Sequence, residues 1–173
     1  MIVLGMGAAQ AAKNCPPESF IVSAGQAYDR AARSGSPSAF SSAAARYSDM
    51  NSIALYALGQ YRKKLPPSRQ GEYVRLAKVF MGKFMLKNGA DFRVGKLTVI
   101  NCTGPASNTT VNAQTESGDP VTFRVYRAGS GFQISDMKVS GIWLVGQMKS
   151  TFVGTINRAK GDIDELFKFM ERY

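Results

Sequence analysis

EYVRLAKVFMGKFMLKNG, residues 72–89, decides the architecture. Tyr73, Leu76, Ala77, Phe80, Met81, Phe84 and Met85 recur at the three- and four-residue spacing of one helix face. Arg75, Lys78, Lys83 and Lys87 mostly fall off that stripe, and Asn88-Gly89 supplies the stop. The period changes downstream. Leu97 and Val99 alternate within 92–102, Val111 and Ala113 within 109–115, and Val121, Phe123 and Val125 alternate with Thr122, Arg124 and Tyr126. A last strand runs from Phe132 to about Val139. Gly104-Pro105, Gly118-Asp119-Pro120 and Gly129-Ser130-Gly131 are the turns between them. Links this short predict a four-stranded antiparallel meander with one apolar face.

Upstream the pattern is helical. Pro16-Pro17 opens a helix carrying Phe20, Ile21, Ala24, Ala27, Tyr28 and Ala31, which Gly35 stops. Ser36-Pro37 starts a second, and Asp49 caps a third with Ile53, Tyr56, Ala57 and Tyr61, broken by Pro66-Pro67. Beyond the strands, Gly141 begins a helical stretch with Ile142, Val145, Met148, Phe152 and Ile156, and Asp162 caps a closing helix. Helices, a sheet, then helices make an α+β fold with helices over one sheet face.

Composition narrows the function. The chain has 173 residues, with 22 basic and 12 acidic, a formal net charge of +10. Ten of the basic residues lie between Arg62 and Lys96, opposed only by Glu72 and Asp91. Such a field attracts anionic partners: lipid headgroups, nucleic acid or acidic protein faces. The aromatics lie on the apolar stripes rather than among the basic residues, which argues against nucleic acid. There is no histidine, so a Ser–His or Cys–His pair is excluded. Asp162, Asp164 and Glu165 sit at a helix start and read as capping groups, not metal ligands. No cofactor, metal or catalytic residue is expected. Asp136, inside the apolar strand, is either a buried acid with a raised pKa or an outward-facing or hydrogen-bonded residue.

Cys15 and Cys102 are too far apart for a CxxC motif. They are one disulfide if the compartment is oxidising, or two separate thiols. Ile2–Ala12 is small and apolar, and Ala9-Gln10-Ala11 has the form of a signal-peptidase site. Residues 1–12 are therefore expected to be a signal-peptide remnant, and 16–173 a single domain.

Met50, Met81, Met85, Met137, Met148 and Met170, with ten phenylalanines, supply apolar mass in deformable form. Such stripes either close into an ordinary core or stay open as an apolar cavity.

Three stretches favour the cavity. Ala57-Leu58-Gly59-Gln60-Tyr61-Arg62-Lys63-Lys64-Leu65-Pro66 with Glu72-Tyr73 resembles the central helical pair of the MlaC (toluene-tolerance) family. Gly131–Val139 resembles that family's aspartate-bearing strand, and Gly161-Asp162-Ile163-Asp164-Glu165-Leu166 its ending. Phe152 matches the family's helix phenylalanine. The likeness runs from about Phe20 to Met170. Ser140-Gly141-Ile142-Trp143 departs from the usual Glu-Gly-Val-Ser and is more similar to a hopanoid-associated branch.

The resemblance implies a periplasmic carrier, not an enzyme, with a cystatin-like or nuclear-transport-factor-like core. Its cargo would be a phospholipid or a hopanoid-like lipid. Its partners would be an inner-membrane ABC transporter complex and an outer-membrane lipoprotein complex. The alternative is a non-lipid interaction module that docks through its basic helical face. On the lipid reading the cavity lies between 72–87 and the sheet face of Leu97, Val99, Phe123 and Val125. Tyr56, Tyr73, Leu76, Phe80, Met81, Phe84, Ile134, Met137, Met148 and Phe152 complete its expected lining, with Trp143 at its mouth.

Overall fold

A computed structural model describes residues 14–173. The expected signal remnant lies outside the described residues. The helical half contains α1 (Glu18–Ser34), α2 (Pro37–Tyr47), α3 (Met50–Ala57) and α4 (Gln70–Lys87). Each boundary has a local cause. Gly35 ends α1 with φ at 64°, which a side chain resists. The Ser36 hydroxyl accepts the Ala39 N–H and Pro37 opens α2. The Asp49 carboxylate accepts the N–H groups of Asn51 and Ser52. The third helix is shorter than its apolar spacing predicts: after Ala57 it tightens into a 3-10 turn over Gly59–Lys64 that carries Tyr61. α2 crosses α4 closely at Gly82. A Cβ there would collide with the Ser41 hydroxyl and the Pro37 carbonyl. The Ser41 Oγ also donates to the Lys78 carbonyl at 3.0 Å, so the crossing is both tight and hydrogen-bonded.

The sheet is an antiparallel meander of five strands rather than four: β1 (Thr98–Thr103), β2 (Thr109–Gln114), β3 (Pro120–Ala128), β4 (Gly131–Val139) and β5 (Ile142–Trp143). The first strand starts later than its alternation predicts. Phe92 is buried in a 3-10 turn against Phe40 instead. The fifth strand has two residues, too few to show a period. Gly141, at φ 80°, turns the chain back so that Trp143 pairs with Lys138 and Ile142 with Val139. Helix α5 (Leu144–Arg158) therefore begins after Trp143, not at Gly141. A bulge in β4 sets Ser135 as an extra residue between the pairs Arg124–Asp136 and Val125–Ile134. It interrupts the two-residue period, and Asp136 and Met137 are both buried in succession.

α6 (Asp164–Arg172) follows, with Ile163 rather than Asp162 as its N-cap residue; the Asp162 carboxylate, one residue earlier, accepts the Asp164 N–H at 2.9 Å. Tyr73, Phe80, Phe152 and Phe167 meet edge-on or tilted where α4, α5 and α6 pack together. The opposite sheet face is polar, with Asn101, Asn112 and Thr122 linked by side-chain hydrogen bonds of 2.8 and 3.1 Å. Cys15 and Cys102 form a disulfide, with Cα atoms 5.4 Å apart, that fastens the start of the domain to β1. Among the described residues no helix is long and apolar enough to cross a membrane.

Candidate functional site

The site follows from the shortness of β5. Because β5 pairs only with Lys138 and Val139, the middle of β4 is left as a free sheet edge. Among the described residues its further backbone partner is Ser48, bridged to Ile134. α3 stands opposite that edge. Between them opens a cavity of about 260 Å³. Asp49, Ser52, Ile53 and Tyr56 line it from α3 and its cap, Arg124 and Tyr126 from β3, Ile134, Ser135 and Asp136 from β4, and Val145 from α5. A smaller inner chamber of about 30 Å³ reaches Tyr28, Met50, Met81, Met85, Met137 and Leu144. Ile53, Ile134, Asp136 and Val145 border both spaces and form the neck. The space is amphipathic: aliphatic and methionine side chains inside, hydroxyls, carboxylates and a guanidinium at the rim.

The rim is ordered by its own hydrogen bonds. Asp136 Oδ1 accepts the Met137 N–H at 2.8 Å and the Val145 N–H at 2.9 Å. It thereby caps α5 from a neighbouring strand, since Trp143, the residue before α5, gives no side-chain cap. Burial pushes the Asp136 carboxyl up, against the opposing pull of those two N–H groups and of Arg124. Asp136 is thus both buried and hydrogen-bonded; the two readings of the sequence are not exclusive. The Arg124 Nη1 lies 4.0 Å from Asp136 Oδ2, and its guanidinium lies 3.9 Å above the Trp143 ring. Asp49 is held below the usual carboxylate range, first by the Ser52 hydroxyl and then by the Ser52 N–H. The Tyr126 hydroxyl donates to Gln133 at 2.6 Å. Lys149 stands 4.5 Å over the ring of Tyr56, which is more than half exposed at the mouth.

The sequence-expected lining divides. Tyr56, Met81, Ile134 and Met137 border the two spaces. Phe80, Met81, Phe84 and Met148 surround a crevice between α4 and α5 with no room for a water molecule. Tyr73, Leu76, Leu97, Phe123, Val125 and Phe152 are buried in solid core. Val99 is only partly buried on β1 and packs against that core. The space between α4 and the β1–β3 face is therefore filled, and the cavity lies one strand further on, at β4. The reason is packing: Leu97 is pressed against Gly25 of α1, and Phe80 meets Phe152 at 5.0 Å. Trp143 lies beside the mouth but lines neither chamber; Arg124 lies over its ring and lines the outer one. Of the outer cavity's lining, Asp49, Ser52, Ile53, Arg124, Tyr126, Ser135, Asp136 and Val145 lie outside the sequence-expected set. Ile53 and Val145 sit on legible stripes, but nothing in a stripe separates cavity wall from core. Among the described residues no three acidic or cysteine side chains are grouped to hold a metal ion.

Comparison with known proteins agrees with this architecture. A solved phospholipid-binding protein from Ralstonia solanacearum, determined in complex with a phospholipid, superposes with a TM-score of 0.74 at 17% identity. The alignment covers 91% of this chain and 96% of that one, and at this identity it establishes a shared fold. None of the curated proteins matches the chain. The model of the family described as MlaC protein matches residues 21–172, nearly the whole described chain. The chain belongs to the MlaC family.

Proposed function

We propose that this protein is a periplasmic lipid carrier and not an enzyme. It would hold acyl chains of a phospholipid between α3, β4 and α5, with the headgroup at the rim. It would shuttle that lipid between an outer-membrane lipoprotein complex and an inner-membrane ABC transporter complex. The observation that carries the reading is the amphipathic cavity: a methionine-rich interior behind a polar, arginine-bearing mouth. Each methylene moved from water into such an interior is worth about 0.8 kcal/mol. The Cys15–Cys102 disulfide supports an oxidising compartment. The fold is shared with a protein solved holding a phospholipid. A phospholipid is preferred to a hopanoid-like cargo, because Trp143 lines neither chamber.

At about 260 and 30 Å³ the two spaces are smaller than a two-chain lipid requires. Loading therefore needs the neck to part, with α3 moving from β4 and Met50, Met81, Met85 and Met137 changing rotamer. Methionine's unbranched chain makes that rearrangement inexpensive. The test is native mass spectrometry of the purified protein followed by lipid extraction. The carrier reading expects stoichiometric co-purifying phospholipid. Protein that stays empty, and does not take up phospholipid from vesicles, would instead favour an interaction module docking through its basic helical face.

A further inference from the structure

Arg124 is placed in a way the cavity alone does not explain. Its side chain is half exposed at the rim. Among the described residues its guanidinium makes no hydrogen bond to protein, and the Asp136 carboxylate 4.0 Å away is beyond hydrogen-bond reach. It is nevertheless restrained, because its central carbon lies 3.9 Å from the centre of the Trp143 indole in a cation–π contact. Holding a half-exposed arginine against an indole removes side-chain freedom, and among the described residues its donors remain unspent. The two carboxylates at the rim bond first to backbone N–H groups. Asp49 accepts three hydrogen bonds, from the N–H groups of Asn51 and Ser52 and from the Ser52 hydroxyl. Asp136 Oδ1 accepts the Met137 and Val145 N–H groups, and its Oδ2 faces the guanidinium at 4.0 Å as a loose ion pair. A second cation, the Lys138 ammonium, lies 6.0 Å from the centre of the same indole.

We infer that Arg124, mounted on Trp143, recognises the phosphate diester of the lipid held in the cavity, so that the protein discriminates phosphate-bearing lipids from uncharged lipids with the same chains. The inference rests on the carrier reading. A flat guanidinium presents paired N–H donors whose spacing matches two oxygens of a phosphate. Set at the mouth of an apolar space, it meets the phosphate only when the chains point inward, so it also fixes the lipid's orientation. Trp143 is a positioning residue: it touches the arginine, not the cargo.

The test offers the protein an equal mixture of dioleoyl phosphatidylglycerol and dioleoylglycerol and reads the retained ratio by native mass spectrometry. An arginine–phosphate hydrogen-bonded pair at a half-exposed site is expected to contribute about a tenfold preference. R124Q should lower the phospholipid-to-diacylglycerol ratio about tenfold. R124K, which keeps the charge without the planar fork, should fall between. W143L should also lower the ratio while total bound lipid stays constant. Inorganic phosphate, supplied at the concentration of the lipid, should leave the ratio unchanged; displacement of the phospholipid by it would assign Arg124 to a soluble anion and overturn the inference. Wild-type protein without a preference, or R124Q that keeps it, also overturns the inference and leaves the carrier reading standing. Wild-type protein that holds neither lipid sinks the carrier reading, and the inference with it.

Discussion

Asp49 and Asp136 both accept backbone N–H groups at the start of a helix, yet their carboxyls shift in opposite directions. Asp49 is lowered, mainly by the Ser52 hydroxyl. Its contribution to stability is complete above the ordinary carboxylate pKa and is lost as pH falls through its depressed folded value. Asp49→Ala should cost about 1 kcal/mol near neutral pH, and the deficit should shrink on acidification. Asp136 is raised by burial. The folded protein holds that proton more tightly than the unfolded chain, so its contribution is greatest below the ordinary pKa and fades as pH rises through the raised value. Asp136→Asn keeps an oxygen for the Met137 and Val145 N–H groups without the buried charge. Its melting temperature relative to wild type should climb from acid to neutral pH. A decline over that range would mean that the backbone bonds, not burial, govern this side chain.

At the level of elements, α4 and α3 have separate tasks. α4 is a structural spine whose Phe80 sits against Phe152 and Tyr173. Phe80→Ala should cost about 3–5 kcal/mol in chemical denaturation and act on lipid content only through that instability. α3 forms the wall of the neck. Ile53→Trp should leave the protein folded at a cost of about 1–3 kcal/mol, but strongly reduce the phospholipid recovered by extraction. Equal lipid content in the folded variant would place the entry elsewhere. These roles show what the sequence discloses. The caps Ser36 and Asp49 and the alternation around Val111, Phe123 and Val125 are local effects and were legible. The cavity was legible as a kind of space but not as a place, because Phe80 in solid core and Ile53 at the neck carry the same helical spacing. Its position depends on two non-local events: the extra residue Ser135 in β4, and a fifth strand of only two residues. Neither leaves a period to read.

At the scale of the whole molecule, part of the basic excess lies where the C-terminal parts of α4 and α6 meet. Lys83 and Lys87 of α4 and Arg172 of α6 border an open cleft with Leu86, Phe169 and Tyr173. None of these lines the outer cavity or the inner chamber, so on the carrier reading docking and cargo retention are separable. Lys83→Glu combined with Lys87→Glu should slow association with anionic vesicles roughly tenfold at low salt. The effect should diminish at high salt, where the screening length shortens to a few ångströms. Lipid content should not change. An association rate indifferent to the double reversal, measured by stopped-flow at low ionic strength, would remove the cleft from the docking surface.

The disulfide has a mechanical consequence. Cys15 and Cys102 are 87 positions apart, and the covalent ring they close contains α1 to α4 and all but the last residue of β1. The strands β2–β5 and the helices α5 and α6 lie outside it. The neck, with Ile53 inside the ring and Ile134 and Val145 outside, spans that boundary. Tension applied between the ends can peel the outer part away, but it cannot lengthen the ring. Reduction should therefore release an additional ~300 Å of contour length in a single-molecule pulling trace, at about 3.3–3.6 Å per freed residue. It should also lower equilibrium stability by about 2–5 kcal/mol. A trace with the same total extension before and after reductant would show that the two sulfurs are not joined in the folded protein.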